Sequence, residues 1–348
     1  MKNPTLLVRA DASTAIGSGH VMRCLALAKA WQKSGGRACF LMAESIPALE
    51  PRLARDDVEL ARLAAEPASQ RDAEQTANWA RRSAASWLVV DGYRFAPDYI
   101  RGLKTSGLRV LHVDDDGRWD RYEADIVLNQ DINANSEMYI RAPDTRLLLG
   151  ADYVLLRPEF LAEPRDREIP AMARNILVTM GGSDPENVTE KILTALSGMV
   201  DLDFAARIVV GGGNPHFAAL QPVAEKLAGK VRLERGPANM AHLMSWADIT
   251  ISAAGGTCWE LAFVGVPTIL VVITPDQNPN ASAISAQGAA LSLGWHANLS
   301  SHQIDSALRN LIKAEDQRRK MSERGRRLVD GQGAERVVAS MQRSLNAV

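Results

Sequence analysis

At 348 residues, 46% of them hydrophobic and 23% charged, the chain is long enough for two domains with separate cores and has the balance of a soluble globular protein. Its 40 Lys and Arg against 41 Asp and Glu leave a formal charge of −1. No basic excess exists to condense on nucleic acid, so an anionic ligand has to be held by local geometry.

The chain starts Met-Lys-Asn-Pro and enters an apolar strand-like run at once, without the long apolar region and small-residue cleavage site of a signal peptide. The longest apolar run, residues 261–273, is broken by Gly265 and Pro267 and is well short of the ~20 residues that span a bilayer. The expectation is a cytoplasmic protein with no stable membrane insertion, monomeric in the simplest reading. Cys24, Cys39 and Cys258 are far apart with no C-x-x-C spacing, which reads as reduced packing thiols rather than a zinc knot or redox pair.

Strand-like and helix-like segments alternate nearly throughout, the pattern of parallel sheets covered by helices. In the first half, strands are expected at 5–11, 38–43, 58–63, 87–91, 109–114 and 125–128, with helices at 20–33 and 71–84 and a stop at Ser34-Gly35-Gly36. The second half restarts with strands at 175–180, 207–210, 231–234, 249–252 and 268–273. The break falls in residues 157–174, rich in Pro, Glu and Arg and without periodicity. These segments predict an α/β chain of two doubly wound, Rossmann-like domains. The domains are residues 1–160 and residues 161–348, the second ending in a charged helical tail that either caps its own domain or crosses back to the first. Ligand sites of such domains lie at the carboxyl ends of the strands, and two domains facing each other across a cleft would share one site there.

The first strand ends at Arg9-Ala10-Asp11 and leads to Gly17-Ser18-Gly19-His20 at the start of a helix. Glycines let a ligand approach the backbone, and the helix start offers free N–H groups. An imidazole there can take a proton from water at neutral pH, or it can be only a helix-start hydrogen-bonding group. In the second half, Gly181-Gly182-Ser183-Asp184 and Gly255-Gly256-Thr257 each follow a strand and precede a helix, a junction that can cradle phosphate on backbone N–H groups. Asp184 also reads as a helix N-cap with Pro185 at the first helical position. Glu260, a turn beyond Thr257, can accept from ribose hydroxyls, and Gly211-Gly212-Gly213 makes a third glycine cluster at a strand end. Together these predict a nucleotide-binding domain. Gln277 and Asn278, after a buried strand, can reach sugar hydroxyls. Asp91-Gly92-Tyr93 and Asp114-Asp115-Asp116 end two first-half strands. The aspartate triplet can hold a divalent cation or be a solvated turn, and the second is preferred, so no metal and no cofactor is expected. Trp31, Trp79 and Trp87 read as packing residues, and no aromatic–basic interleaving points to single-stranded nucleic acid.

Arg9-x-Asp11, Gly17-x-Gly19-His20-x-x-Arg23 and Met180-Gly181-Gly182-Ser183-Asp184-x-x-Asn187 together resemble the UDP-2,4-diacetamido-2,4,6-trideoxy-β-L-altropyranose hydrolases of pseudaminic acid biosynthesis, the PseG family. That family is similar in fold to the GT-B glycosyltransferases, MurG among them, and the resemblance runs over essentially the whole chain. It implies a UDP-sugar substrate and His20 as the base that activates water for inverting attack at the anomeric carbon, without a metal. It implies Tyr93 and Asp11 in the catalytic region, and Gly17, Gly19, Arg23, Asp114 and Asp115 on the sugar side. Gly181, Gly182, Ser183, Asn187, Gly255, Gly256, Thr257 and Glu260 correspond to the UDP-holding loops, and Asn239-Met240 to the segment that reads uracil. Gly255-Gly256-Thr257 is closer to the glycosyltransferase version of its loop, which keeps sugar transfer to an acceptor as the alternative. A non-catalytic nucleotide-sugar binder would have no purpose for the Gly-Ser-Gly-His element.

Overall fold

The computed structural model describes residues 3–13, 16–47, 49–227, 229–237 and 239–346. Residues 1–2, the first of the expected N-terminal run, lie outside them. In chain order the elements are β1 (Thr5–Ala10), α1 (Gly19–Lys33), β2 (Arg37–Met42), α2 (Leu49–Arg55), β3 (Glu59–Arg62), α3 (Gln70–Arg82), β4 (Ala85–Asp91), α4 (Pro97–Thr105), β5 (Val110–Val113), β6 (Ile126–Asn129) and β7 (Arg146–Leu149). There follow α5 (Pro158–Leu161), β8 (Asn175–Thr179), α6 (Val188–Ser197), β9 (Ala205–Val210), α7 (Phe217–Glu225), β10 (Val231–Arg235), α8 (Met240–Trp246), β11 (Ile249–Ala253) and α9 (Thr257–Val264). The last elements are β12 (Thr268–Val272), α10 (Asn278–Ala286), β13 (Leu291–Trp295), α11 (Ser301–Lys313), α12 (Glu315–Leu328) and α13 (Gly333–Asn346).

The chain divides into two compact units, residues 1–158 with 331–348, and residues 159–330. In the first, the sheet order is β3-β2-β1-β4-β5-β6-β7, and in the second β10-β9-β8-β11-β12-β13. Every pairing is parallel. Both are therefore the doubly wound Rossmann arrangement, with strand order reversing between β1 and β4 in one and β8 and β11 in the other. The central strands are buried along their whole length: no residue of β1, β5, β6, β11 or β12 is exposed. Helices on both faces are the reason these strands read as unbroken apolar runs.

Two edge strands, β7 and β13, were not among the expected strands. β7 is four residues between Thr145 and Gly150, and β13 carries Gly294 with φ +81 and an irregular register against β12. Both are too short or too broken for a periodicity argument. The helix stop behaves as expected: Gly35 has φ +91, and the Gly36 N–H returns to the Trp31 carbonyl at 3.1 Å.

The C-terminal helix departs from the expected boundary. It belongs to the first unit, where Ala334, Val337, Val338 and Met341 join the core formed with Leu25, Trp31 and Trp87. Glycine is required where it docks, because a Cβ at Gly333 would lie 2.2 Å from the Val154 carbonyl oxygen. The indole N–H of Trp87, 1% exposed, donates to the Met341 carbonyl at 3.2 Å, and Arg146 Nη1 donates to Ser340 Oγ at 2.9 Å. The charged outer face of this helix hides that destination in the sequence. Met341→Ala is expected to cost about 2–5 kcal/mol. Hydrogen exchange should then quicken in β1, β4 and α1; unchanged protection there would contradict the docking of α13 on this core.

Candidate active site

In the first unit the strand-order switch lies beside His20. Gly17 has φ +72, a left-handed turn that leads into α1 with Ser18 as N-cap, whose side chain makes no cap hydrogen bond. His20, on the first turn, is 7% exposed, and its Nδ1 lies 2.7 Å from Asp91 Oδ1 at the end of β4. Asp91 is paired in register with Ala10 of β1 and is completely buried. Burial alone would push its carboxyl up, but Arg23 and then His20 overcome this and hold it well below the usual carboxylate range. An ionised carboxylate only accepts, so Nδ1 carries a proton toward Asp91, and in the neutral ring the lone pair is on Nε2.

Arg23, one helical turn from His20, grips Asp91 at both oxygens, from Nε at 2.7 Å and Nη2 at 2.7 Å. Its other edge grips Asp115, from Nη1 at 2.5 Å and Nη2 at 3.0 Å. Nη2 also comes within 3.3 Å of His20 Nδ1, because both donate to the same Asp91 oxygen. The buried Cys24 thiol donates to Asp91 Oδ2 at 3.2 Å, and burial pushes that thiol well up. Cys24 is thus part of the carboxylate's cage.

Tyr93, 46% exposed, stands edge-on to His20 with ring centroids 4.8 Å apart, and the Arg118 guanidinium sits 5.2 Å from its ring centre. His20, Asp91, Tyr93, Asp11, Ile16, Gly92, Arg94 and Phe95 line one cavity. Asp11 is at that wall, but its Oδ1 accepts from the Ala43 and Glu44 amides at 2.8 and 3.0 Å and meets Arg9 Nη1 at 2.7 Å. Arg9 is fully buried and also pairs with Asp72. The Arg9-x-Asp11 element therefore ties the end of β1 to the β2 loop, and Asp11 is a positioning group. Asp114 is likewise committed: it accepts from Tyr122 and Tyr139 hydroxyls at 2.9 and 3.0 Å and from the Gly117 amide at 2.7 Å. Asp115 alone of the two faces Arg23. Among the described residues, no group of His, Cys, Asp and Glu is arranged to hold a metal ion.

In the second unit the switch lies between the loops after β8 and β11. Gly181 has φ +79, and Gly181 and Gly182 are exposed with open space where a Cβ would be. The helix that follows starts later than expected: Asn187, not Asp184, is its N-cap, with φ 51. Asp184 reaches forward instead, accepting from the Val188 and Thr189 amides at 2.8 and 3.0 Å and the Thr189 hydroxyl at 2.6 Å. Its own carboxylate thus occupies the amides that a phosphate would use at α6. Asn187 turns its amide nitrogen to Glu190 at 2.6 Å, and Ser183 is half-buried on the same turn. The third glycine cluster has a packing reason, since a Cβ at Gly211 would lie 2.3 Å from the Gly182 carbonyl oxygen.

The α9 start is different. Gly256 is its N-cap, among the described residues no side-chain cap bonds the leading amides, and Gly255 and Gly256 leave the approach clear. Thr257 opens the helix and Glu260 lies on its first turn. Gln277 Oε1 accepts from the Ile273 amide at 3.1 Å, and its Nε2 lies 3.6 Å from the place of a Gly255 Cβ. The loops after β11 and β12 therefore adjoin, with Asn278 next in line at the start of α10. Asn239 caps α8, accepting from the His242 amide at 3.0 Å, with Met240 as that helix's first residue. No hydrogen bond among the described residues joins that pair to the glycine loops.

Sequence reasoning missed Asp91 as the partner of His20, and it missed His112 and Arg118. The available signals were the His20/Arg23 spacing, which puts both on one helix face, and a lone acid ending the apolar run 87–91.

Comparison with known proteins adds a family to this geometry. Residues 175–336 match the glycosyltransferase family 28 C-terminal domain. The chain is 25% identical over 292 residues to the UDP-2,4-diacetamido-2,4,6-trideoxy-beta-L-altropyranose hydrolase of Campylobacter jejuni, covering 81% of this chain and 97% of that protein. The crystal structure of Acinetobacter baumannii MurG superposes with TM-score 0.67 at 18% identity, over 98% of this chain and 100% of that one, so the expected GT-B fold class is the observed one. The spore coat polysaccharide biosynthesis protein SpsG of Bacillus subtilis is 31% identical over 240 residues, which is 69% of this chain and 70% of that protein. On that similarity, the chain belongs to the SpsG family.

Proposed function

We propose that this chain is a hydrolase of UDP-linked 2,4-diacetamido-2,4,6-trideoxy sugars, acting by water attack at the anomeric carbon with inversion. The observation that carries the reading is the buried His20–Asp91 pair, with His20 on the wall of a cavity; Nε2 is assigned as the base. Water gives its proton to Nε2 as its oxygen bonds to the anomeric carbon. The bond from that carbon to the diphosphate oxygen breaks, and its electron pair leaves with UDP. Asp91 keeps the imidazole in the productive tautomer and stabilises the imidazolium that forms. The uncapped α9 amides at Gly255, Gly256 and Thr257 meet the charge gathering on the departing diphosphate, so no metal is required. Glu260, Gln277 and Asn278 are assigned to ribose and sugar hydroxyls, and Asn239 and Met240 to the base. The reading takes its substrate from the resemblance of the motifs and from the name of the C. jejuni relative. Among the described residues no helix is long and apolar enough to cross a membrane, and a cytoplasmic enzyme is proposed.

A second reading has its own support. The match to a glycosyltransferase domain over residues 175–336, and the polysaccharide biosynthesis named for the B. subtilis relative, favour transfer to an acceptor hydroxyl. His20 would then deprotonate that hydroxyl in place of water.

The two separate in one assay: UDP release from the diacetamido UDP-sugar with chelator present and no acceptor, the product followed by proton NMR. Hydrolysis predicts prompt release and an inverted free sugar. Tight UDP binding without turnover would remove the hydrolase reading. In the same assay Asp91→Asn is expected to lower kcat by about 100- to 10,000-fold, because the neutral amide no longer selects the Nδ1–H tautomer. His20→Asn should lose at least as much; release at the parent rate would take His20 out of the base role.

A further inference from the structure

Beside the His20 cavity lies a second one, and the reaction above gives no task to its His112, Arg118 and Trp119. It is lined by Arg23, Tyr93, His112, Asp115, Arg118 and Trp119, among others. Gly92 and Tyr93 line both cavities. His112, on β5 beside Val90 of β4, is 3% exposed. Among the described residues no hydrogen bond reaches either of its ring nitrogens, although it lines this cavity. A buried imidazole without a partner is costly unless a ligand or water completes it.

The chemistry of the walls narrows the ligand. Two cations, Arg23 and Arg118, face three acids, Asp114, Asp115 and Asp116, so a phosphate or carboxylate is repelled. Arg23 and Arg118 are already paired with Asp115 and Asp116. Burial pushes His112 down despite the pull of Asp114, Asp91 and Asp115, so it is a neutral ring with one donor and one acceptor. Tyr93 and Trp119 add apolar faces. The floor is stiff, because Asp114 is locked by two tyrosine hydroxyls and the Gly117 amide.

We propose that this cavity binds an N-acyl amide of the sugar: a ring N–H of His112 donates to the acyl carbonyl, a carboxylate oxygen of the Asp115-Asp116 turn accepts the amide N–H, and Tyr93 and Trp119 flank the methyl. A hydroxyl in the same place would leave the apolar walls unfilled, and an ammonium would set a hydrated cation against them. This assignment rests on the reading of the chain as an enzyme of acetamido-sugar nucleotides, and it makes His112 a specificity residue.

The test is saturation-transfer NMR on the full chain with N-acetylglucosamine, glucosamine and glucose as probes. The parent should saturate the acetyl methyl most strongly, with little transfer to the other two sugars. His112→Leu should reduce the methyl signal at least fivefold, and His112→Gln, which keeps an N–H donor, should restore most of it. If His112→Leu does not fold by circular dichroism, Trp119→Ala serves, with the same expected loss. An acetyl signal unchanged in the folded variant, or stronger binding of glucosamine than of its acetylated form, overturns the subsite. UDP release from the same samples keeps the two readings apart. A parent that saturates the acetyl methyl in a His112-dependent way but never releases UDP sinks the hydrolase alone. Release of UDP with an acetyl signal indifferent to His112 sinks the subsite alone.

Discussion

Asp91 is a fully buried carboxylate, and the first unit's site is arranged to keep it charged. Burying such a group is unfavourable unless it is paired and hydrogen-bonded, and here His20, Arg23 and Cys24 all donate to it. Arg23 is itself mostly buried, and its second edge is neutralised by Asp115. Asp115 in turn sits on the turn that Asp114 fixes through Tyr122, Tyr139 and Gly117. Each member makes the next tolerable. Removing one partner of a buried pair of this kind costs about 3–5 kcal/mol, so the orientation of His20 is enforced by the stability of the unit.

The two units use the same topological position in different chemical terms. Where strand order reverses in the first, side chains converge: His20 and Arg23 from the helix after β1 meet Asp91 from the end of β4. Where it reverses in the second, the backbone is laid bare at Gly181, Gly182, Gly255 and Gly256. The two glycine loops are not equivalent. Asp184 has taken the leading amides of α6, while α9 starts with no side-chain cap. A carboxylate from the chain is the same kind of ligand as a phosphate to a helix N-terminus, so an occupied start and an open one sort the two loops without reference to any bound molecule.

Much of this was legible in the residues. Central parallel strands are buried on both faces and stand out as apolar runs, so eleven of the strands were expected near their observed places. The strands missed, β7 and β13, are sheet edges where four or five residues give no period to read. The fate of α13 was hidden for another reason: the tail reads as charged, with apolar positions at irregular spacing, and such a pattern does not name the core that receives it. The partner of His20 was out of reach because Asp91 is 71 residues away, and only the register of β1 against β4 brings it there. His112 was passed over as one residue of an apolar strand. Its ring, without a hydrogen-bond partner among the described residues, is a property of the packing, which no local pattern encodes. Asp11 and Asp114, acids at strand ends, line the cavities and also hold loops, a second task that the strand-end position does not announce.

The central claim is that Asp91 sets the protonation of His20, and nitrogen NMR of the histidine-labelled protein tests it without substrate. In the neutral ring the account predicts His20 with its proton on Nδ1 and a bare Nε2. A ring with the proton on Nε2, or one exchanging between tautomers, would contradict it.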